Sequence, residues 1–338
     1  MKHFAIILAG GQGERFWPLS QPDFPKQFLA IFYNQPLITQ TLQRIKNYFK
    51  KEEIILIVPE ALKETIKRFT TGESIIIEPV RKNTAPAIGL AAMELEKRYG
   101  EGIMHIMPAD HLIADKDKFI LHLRFGEDIA RKDYLVTYGI KPTRPETGYG
   151  YIRVGNEIAH RNNIFAYKAE GFTEKPNLVR AKSYLKKGNY LWNSGIFTFK
   201  ISSILREIKR CIPETYNQLR RYFKNRNKKD FARIKETSID YGVMEKSGNL
   251  CVVKAEFSWD DVGSWLALER YFKKDKQGNV FSGDALGLDT MNSIVYAYNV
   301  PVRVYGIKGL VVVASPRGVL VCKKERAPDL KKLLRAKR

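Results

Sequence analysis

Cysteine is scarce. Cys211, Cys251 and Cys322 are the three in 338 residues, an odd number set far apart. They suggest neither a disulfide framework nor a zinc site, and a reducing cytoplasmic location is expected. Long apolar runs are missing too. No window approaches 18 uninterrupted apolar residues, so no membrane span and no membrane partner are expected. The N-terminus enters a strand directly, without the pattern of a signal peptide. The G-K-[S/T] ending of a P-loop is absent from Gly10-Gly11-Gln12-Gly13-Glu14-Arg15, and so is the last glycine of a G-x-G-x-x-G fingerprint. His111 lies beside Asp110, but no Ser or Cys elbow accompanies it, which excludes a nucleophilic triad and leaves His111 an orienting or structural role. No 20–50-residue repeat runs through the chain.

Acidic residues are the other shortage. Asp plus Glu number 36 against 58 Lys plus Arg, a net charge of +22. Residues 206–235 hold eleven basic side chains against three acids, and residues 323–338 hold eight against two. Both stretches carry apolar residues at helical spacing, such as Ile204, Leu205 and Ile208. Aromatic and glycine interleaving of an RNA-binding type is lacking. A solvated basic surface that attracts anionic substrates is the expected reading, with no nucleic-acid partner.

What is present begins with an apolar strand at residues 2–8. Further buried strands are expected at 53–58, 74–77, 102–107 and 135–138, with helices at 37–49, 61–69, 85–99 and 119–131 between them. Such alternation specifies a doubly wound α/β sheet, whose ligands sit beyond the carboxyl ends of the strands. Antiparallel strands are expected at 147–152 and 166–172, helices at 178–187 and 202–236, and a strand at 250–256. Residues 273–279, charged and rich in breakers, read as a linker. Short strands at 293–298, 302–305, 310–314 and 319–322 then suggest a small β domain, a few coils of β-helix, closed by a helix at 327–338. Two domains are expected, 1–273 and 280–338.

The chemistry concentrates on one rim. Gly10, Gly11 and Gly13 leave backbone N–H groups free for an anion, with Arg15 and Lys26 as charge partners. Asp110 follows a buried strand, and Asp261 lies in Trp259-Asp260-Asp261-Val262-Gly263. Two carboxylates from distant loops suit Mg²⁺, which takes few protein oxygens; singly, each also suits a turn or a helix cap. The segment 78–87 joins a strand to a helix, and its polar groups either read a base edge or cap that helix through Asn83 or Thr84. Glu174-Lys175-Pro176 and Asn193-Ser194-Gly195 suit a polyhydroxyl ligand carrying a phosphate: carboxylate for hydroxyl hydrogens, amide for either role, lysine for the phosphate.

Together these motifs resemble the sugar-nucleotide pyrophosphorylases over nearly the whole chain. The Asn83-Thr84-Ala85-Pro86-Ala87 and Ile239–Lys246 segments point to the guanylyl, mannose branch. The resemblance implies a Rossmann-like α/β nucleotidyltransferase domain with a mixed sheet, followed by the small β-helix-like domain and terminal helix. It implies transfer of GMP from GTP to mannose 1-phosphate by Mg²⁺-dependent in-line attack. Leu8, Ala9, Gly10, Gly11, Gly13, Arg15 and Lys26 would hold the nucleotide, with Asn83, Thr84 and Ala85 at the base and Asp110 beside it. Gly148, Glu174 and Asn193 would hold the sugar, Lys175 its phosphate, and Asp110 and Asp261 the metal. Arg15, Lys26 and Asp110 would be catalytic. A homodimer is expected. Related enzymes using UTP, dTTP or ATP with glucose 1-phosphate, and a non-catalytic regulatory homologue, are the alternatives. Three positions depart from the common pattern: Glu14 in the loop, Ala109 before Asp110, and Asp260 before Asp261. About sixty residues after the linker leave no room for an added isomerase domain, so no isomerase activity is expected.

Overall fold

A computed structural model describes residues 1–336; the last two positions of the expected terminal helix lie outside the described residues. The chain forms two compact units. The first comprises Met1–Gly10 and Thr41–Asp260, the second Gly11–Gln40 and Asp261–Arg338.

The first unit holds β1 (Lys2–Leu8), the greater part of α1 (Leu37–Ile45), β2 (Ile54–Pro59), α2 (Lys63–Ile66), β3 (Ser74–Glu78), α3 (Thr84–Tyr99), β4 (Gly102–Pro108), α4 (Lys116–Ala130) and β5 (Leu135–Ile140). It continues with β6 (Tyr151–Arg161), β7 (Ile164–Thr173), α5 (Leu178–Lys187), β8 (Tyr190–Lys200), α6 (Ile201–Cys211), α7 (Pro213–Asn225), α8 (Lys228–Ala232) and β9 (Leu250–Lys254). Nine strands form one mixed sheet in the order β3-β2-β1-β4-β8-β5-β9-β7-β6. β1, β2, β3 and β4 are parallel neighbours, while β8 runs antiparallel to both β4 and β5. The parallel strands are continuous apolar runs because helices cover both faces. α3 is buried along most of its length, and Ile88, Leu95, Ile204, Ile208 and Leu219 join Phe4, Ile6, Ile106 and Phe199 in the main core.

The α/β architecture matches the expectation, with three local differences. The basic helical stretch is three helices: Pro213 opens the second, since proline can start a helix but not continue one, and Arg226 at φ 56° ends it. β6 and β7 extend into a hairpin longer than expected: past Ile152, β6 has no buried residue to mark it as a strand, whereas β7 is buried at Ile164 and Ala166, next to the turn. β8 inserts between β4 and β5, an antiparallel placement that local periodicity does not encode.

The second unit carries α9 (Leu268–Tyr271), β10 (Val280–Ser282), β11 (Ala285–Leu288), β12 (Ile294–Ala297), β13 (Val302–Tyr305), β14 (Leu310–Ser315), β15 (Gly318–Lys323) and α10 (Leu330–Arg335). β10, β12 and β14 stack in parallel, β11 pairs in parallel with β13, and β15 returns antiparallel. Parallel pairing of strands this short is the signature of β-helix coils. Val295, Val302 and Val312 fill the coil interior.

Candidate active site

In the first unit the carboxyl ends of the parallel strands collect several of the expected residues. Ala9 N–H donates to Ile57 O (3.0 Å) and Ala109 N–H to Leu8 O (3.1 Å), so the end of β1 is stitched to β2 and to the turn bearing Asp110. The turn is held from behind: Thr41 Oγ1 donates to Ala109 O (3.3 Å), and Arg44 donates to the carbonyls of His111 (3.1 Å) and Ile113 (3.2 Å). Leu112 and Asp260 exchange backbone hydrogen bonds. His111 Nδ1 accepts from the Trp259 indole (3.1 Å), an orienting contact that leaves its proton on Nε2.

Asn83 stands at φ 70°, ψ −173°, a region that is nearly glycine-only, while its side chain accepts from Thr84 N–H (2.8 Å). Thr84 Oγ1 accepts from Ile239 N–H (2.7 Å), and Ala85 N–H donates to Thr237 O (3.1 Å), so this loop is knitted to the segment before Asp240. Asn83, Thr84, Lys175, Asp240 and Tyr241 line one cleft of about 900 Å³. Asn83 and Thr84, expected at the base, and Lys175, expected at the sugar phosphate, therefore line the same cleft, while Ala85 does not.

The sugar-side residues are joined to one another. Glu174 has 8% side-chain exposure and pairs through Oε1 with Lys175 Nζ (2.9 Å). Its other oxygen is buried without a hydrogen-bond partner. A Cβ on Gly150 would stand 2.5 Å from that oxygen, so glycine is required for the carboxylate to lie there. Burial disfavours the Lys175 charge, but the Glu174 carboxylate outweighs it and the ammonium is held above its ordinary range. Asn193 is buried. Gly148 is exposed, and its N–H donates to Glu146 (3.1 Å).

The second unit arranges the cations. Gly13 sits at φ 61°, and a Cβ there would stand 2.3 Å from Lys26 Cβ. Lys26 Nζ donates to Asp261 O (2.5 Å), and Arg15 reaches Gly263 O (3.5 Å). Arg15 Nε is buried without a hydrogen-bond partner. Between the two gripped carbonyls stands Val262, fully buried at φ 41°, an outlier for a β-branched residue. Glu14 turns toward α10, with its carboxylate 3.4 Å from Lys331 Nζ and 3.7 Å from Arg335.

Two acids lie in segments singled out from the sequence but were given no individual role there. Glu78 ends β3, 4% exposed, and one oxygen accepts from Lys82 N–H (2.9 Å). Burial pushes its carboxyl up to about 7. Asp240 accepts from Asn193 Nδ2 (2.8 Å), and burial with the Glu174 charge pushes it up to about 7. Glu78 reads as a strand end before proline; the signal that could have flagged it is an acid closing an otherwise apolar strand at the ligand rim.

The chain matches the nucleotidyl transferase family over residues 4–278, and a mannose-phosphate isomerase/GMP-like β-helix domain over 283–336. It is 39% identical to the mannose-1-phosphate guanylyltransferase of Salmonella montevideo, across 97% of this chain and 72% of that protein. The chain belongs to the mannose-1-phosphate guanylyltransferase family. The Escherichia coli K12 member is 36% identical across 98% of this chain and 73% of its own length. A solved structure described as mannose-1-phosphate geranyltransferase from Thermus thermophilus superposes with a TM-score of 0.89 at 36% identity, covering 99% of this chain and 98% of that one. Nucleotidyl transferases of this family generally use a divalent metal. No helix among the described residues is long and apolar enough to cross a membrane.

Proposed function

We propose that this chain transfers GMP from GTP to mannose 1-phosphate, giving GDP-mannose and pyrophosphate. The observation that carries the reading is the cleft of the first unit, where Asn83 and Thr84 share a wall with Lys175, beside the orphaned oxygen of Glu174. Glu78 supports guanine. The guanine edge offers two adjacent N–H donors, and a carboxylate accepts both, whereas adenine, uracil and cytosine each place an acceptor there.

A phosphate oxygen of mannose 1-phosphate attacks the α-phosphorus of GTP. The new P–O bond forms as the bond to the β-phosphate oxygen breaks, and pyrophosphate departs. The nucleophile is ionised at neutral pH, so positioning and charge neutralisation supply the catalysis. Gly10, Gly11 and Gly13 present backbone to the triphosphate, Leu8 and Ala9, stitched to Ala109 and Ile57, hold the start of that nucleotide loop, and Arg15 and Lys26 meet the charge on the departing pyrophosphate. Lys175 binds the sugar phosphate, while Gly148, Glu174 and Asn193 hold the sugar.

Asp110 and Asp261 are our candidates for the metal ligands, with Mg²⁺ as the ion. Their oxygen donors suit a hard cation, and Gly263 supports the choice of Asp261: a Cβ there would stand 2.9 Å from its Oδ2, so glycine keeps the carboxylate uncrowded. Asp261 is half-buried whereas Asp260 is 7% exposed. When bound, the ion screens the phosphates from one another. We further propose that residues 1–273 form the catalytic domain and 280–338 an accessory β domain, that the enzyme is a cytoplasmic homodimer, and that the three free thiols suit that location.

The test is pyrophosphate release across four nucleoside triphosphates and a panel of hexose 1-phosphates. GTP with mannose 1-phosphate should give the highest kcat/KM. A preference for another pair would overturn the reading.

A further inference from the structure

The Asn193 amide is committed on three sides. Its Oδ1 accepts from Thr137 Oγ1 (2.9 Å) and from Gly195 N–H (3.2 Å). Its Nδ2 donates to Asp240 Oδ1 (2.8 Å). The Gly195 backbone N–H can only donate, which settles which end of the amide carries the oxygen. A register shift between Thr137 and Gly139, where β5 meets β8, allows the threonine hydroxyl to reach across. One N–H of Asn193 remains.

Beside it, Glu174 offers an acceptor. Its Oε2 is buried, unpartnered and lies over Gly150. Lys175 draws on the other oxygen. One outstanding donor and one outstanding acceptor thus belong to two side chains that both lie against Gly150. Neighbouring hydroxyls of a sugar match that pair, since one hydroxyl can accept while the next donates.

Asp240 has no contact of its own with the outstanding groups. It opens a π-turn, Asp240–Met244, an irregularity that recurs at functional sites because it places a side chain a regular helix would turn elsewhere. It also borders the cleft shared by Lys175 and Tyr241.

We propose that Asp240 is a positioning residue of the sugar subsite: it pins the Asn193 amide so that the remaining N–H and the Glu174 carboxylate together recognise a pair of neighbouring hydroxyls. This rests on the sugar-phosphate reading above. It extends that reading by giving Asn193 a donor role alone, and by making Asp240, acting through Asn193, a determinant of sugar affinity.

The test compares D240A, D240N and the wild type by initial-rate kinetics on the whole enzyme. D240A should raise KM for mannose 1-phosphate about tenfold, the effect of losing one buried hydrogen bond that orients the amide, and leave KM for GTP within about twofold. D240N, whose amide oxygen can still accept from Asn193, should recover most of that loss. Monodeoxy mannose 1-phosphates supply the second arm. On the sugar lacking the hydroxyl that meets Asn193, wild type and D240A should bind alike, as in a double-mutant cycle. An unchanged sugar KM in D240A, an equal rise in both KM values, or an undiminished D240A effect on every deoxy sugar would overturn the proposal. If the wild type prefers another hexose 1-phosphate, the functional reading fails while the same comparison on that sugar still decides the role of Asp240. Wild-type silence on every hexose phosphate would overturn both.

Discussion

Replacing Gly13 by alanine tests whether the glycine loop is built around Lys26. At φ 61° an L-residue loses about 1–2 kcal/mol to its own carbonyl. The added methyl would also stand 2.3 Å from Lys26 Cβ, 2.5 Å from its nitrogen and 2.9 Å from its Cα. These atoms belong to the backbone or its first carbon, so no flexible tip can swing away. Either the loop or the Lys26 turn must shift, at a further cost of roughly 1–3 kcal/mol, as for overpacking. The sum is about 2–5 kcal/mol against the second unit. The shift would also move Lys26 Nζ, which donates to Asp261 O (2.5 Å), so the lysine and the metal-candidate turn should be disturbed together. Urea unfolding followed by tryptophan fluorescence would measure the stability, since Trp17 and Trp265 both lie in this unit and Trp265 donates to Trp17 O (3.0 Å). Pyrophosphate release would measure kcat/KM for GTP, with an expected fall of at least about a hundredfold, the scale of a small misplacement of catalytic groups. A G13A enzyme with wild-type stability and turnover would refute the reasoning.

Other expectations follow from particular residues. E78Q keeps an acceptor for Lys82 N–H but loses the charge, so kcat/KM for GTP should drop about tenfold or more while ATP and UTP are little changed; equal losses across the triphosphate panel would remove Glu78 from the base site. Val262 allows an internal comparison, because V262A and V262G both remove buried methyls. Glycine in place of alanine is normally destabilising, but at φ 41° V262G should be the more stable of the two by about 1 kcal/mol in urea unfolding, and the reverse order would deny the strain. Glu127 Oε1 gathers His3 Nδ1 (2.9 Å), His105 Nε2 (2.9 Å) and Tyr48 OH (2.6 Å). Burial alone would raise its carboxyl, yet the histidine and tyrosine hydrogen bonds outweigh burial and hold it far below the ordinary carboxylate range. A depressed acid contributes stability that is complete above the unfolded value of about 4.3 and lost as pH falls toward the folded one. E127Q should therefore be less stable than wild type by about 3 kcal/mol at pH 7, with the gap beginning to narrow below about pH 5 and narrowing further as pH falls past about 3 in urea midpoints. A gap that does not vary with pH would contradict this.

The parallel strands and the glycine loop were legible because their causes are local. An apolar run bounded by glycine has few ways to be anything else. The Asp110 turn was legible for the same reason. Asp240 was legible only as part of the Ile239–Lys246 segment: its hydrogen bond to Asn193, 47 positions away on an antiparallel strand, has no local signal. Glu14 looked misplaced beside a phosphate loop because its cationic partners, Lys331 and Arg335, come from the far end of the chain. The strain at Asn83 and Val262 was invisible for another reason. Asn83 stands in a nearly glycine-only region and Val262 at a positive φ that a β-branched residue rarely adopts, so sequence reasoning assigns both to ordinary backbone, and only tertiary constraint holds them elsewhere.

The central claim is guanylyl transfer to mannose 1-phosphate. The most direct measurement is pyrophosphate release from purified enzyme, mannose 1-phosphate and each of GTP, ATP, UTP and dTTP in parallel, with the sugar nucleotide identified by mass. GDP-mannose should be the dominant product, with GTP preferred by at least about tenfold, the discrimination a charged contact to the base provides. Equal use of the four triphosphates, or a larger kcat/KM for UTP or dTTP with glucose 1-phosphate, would contradict it.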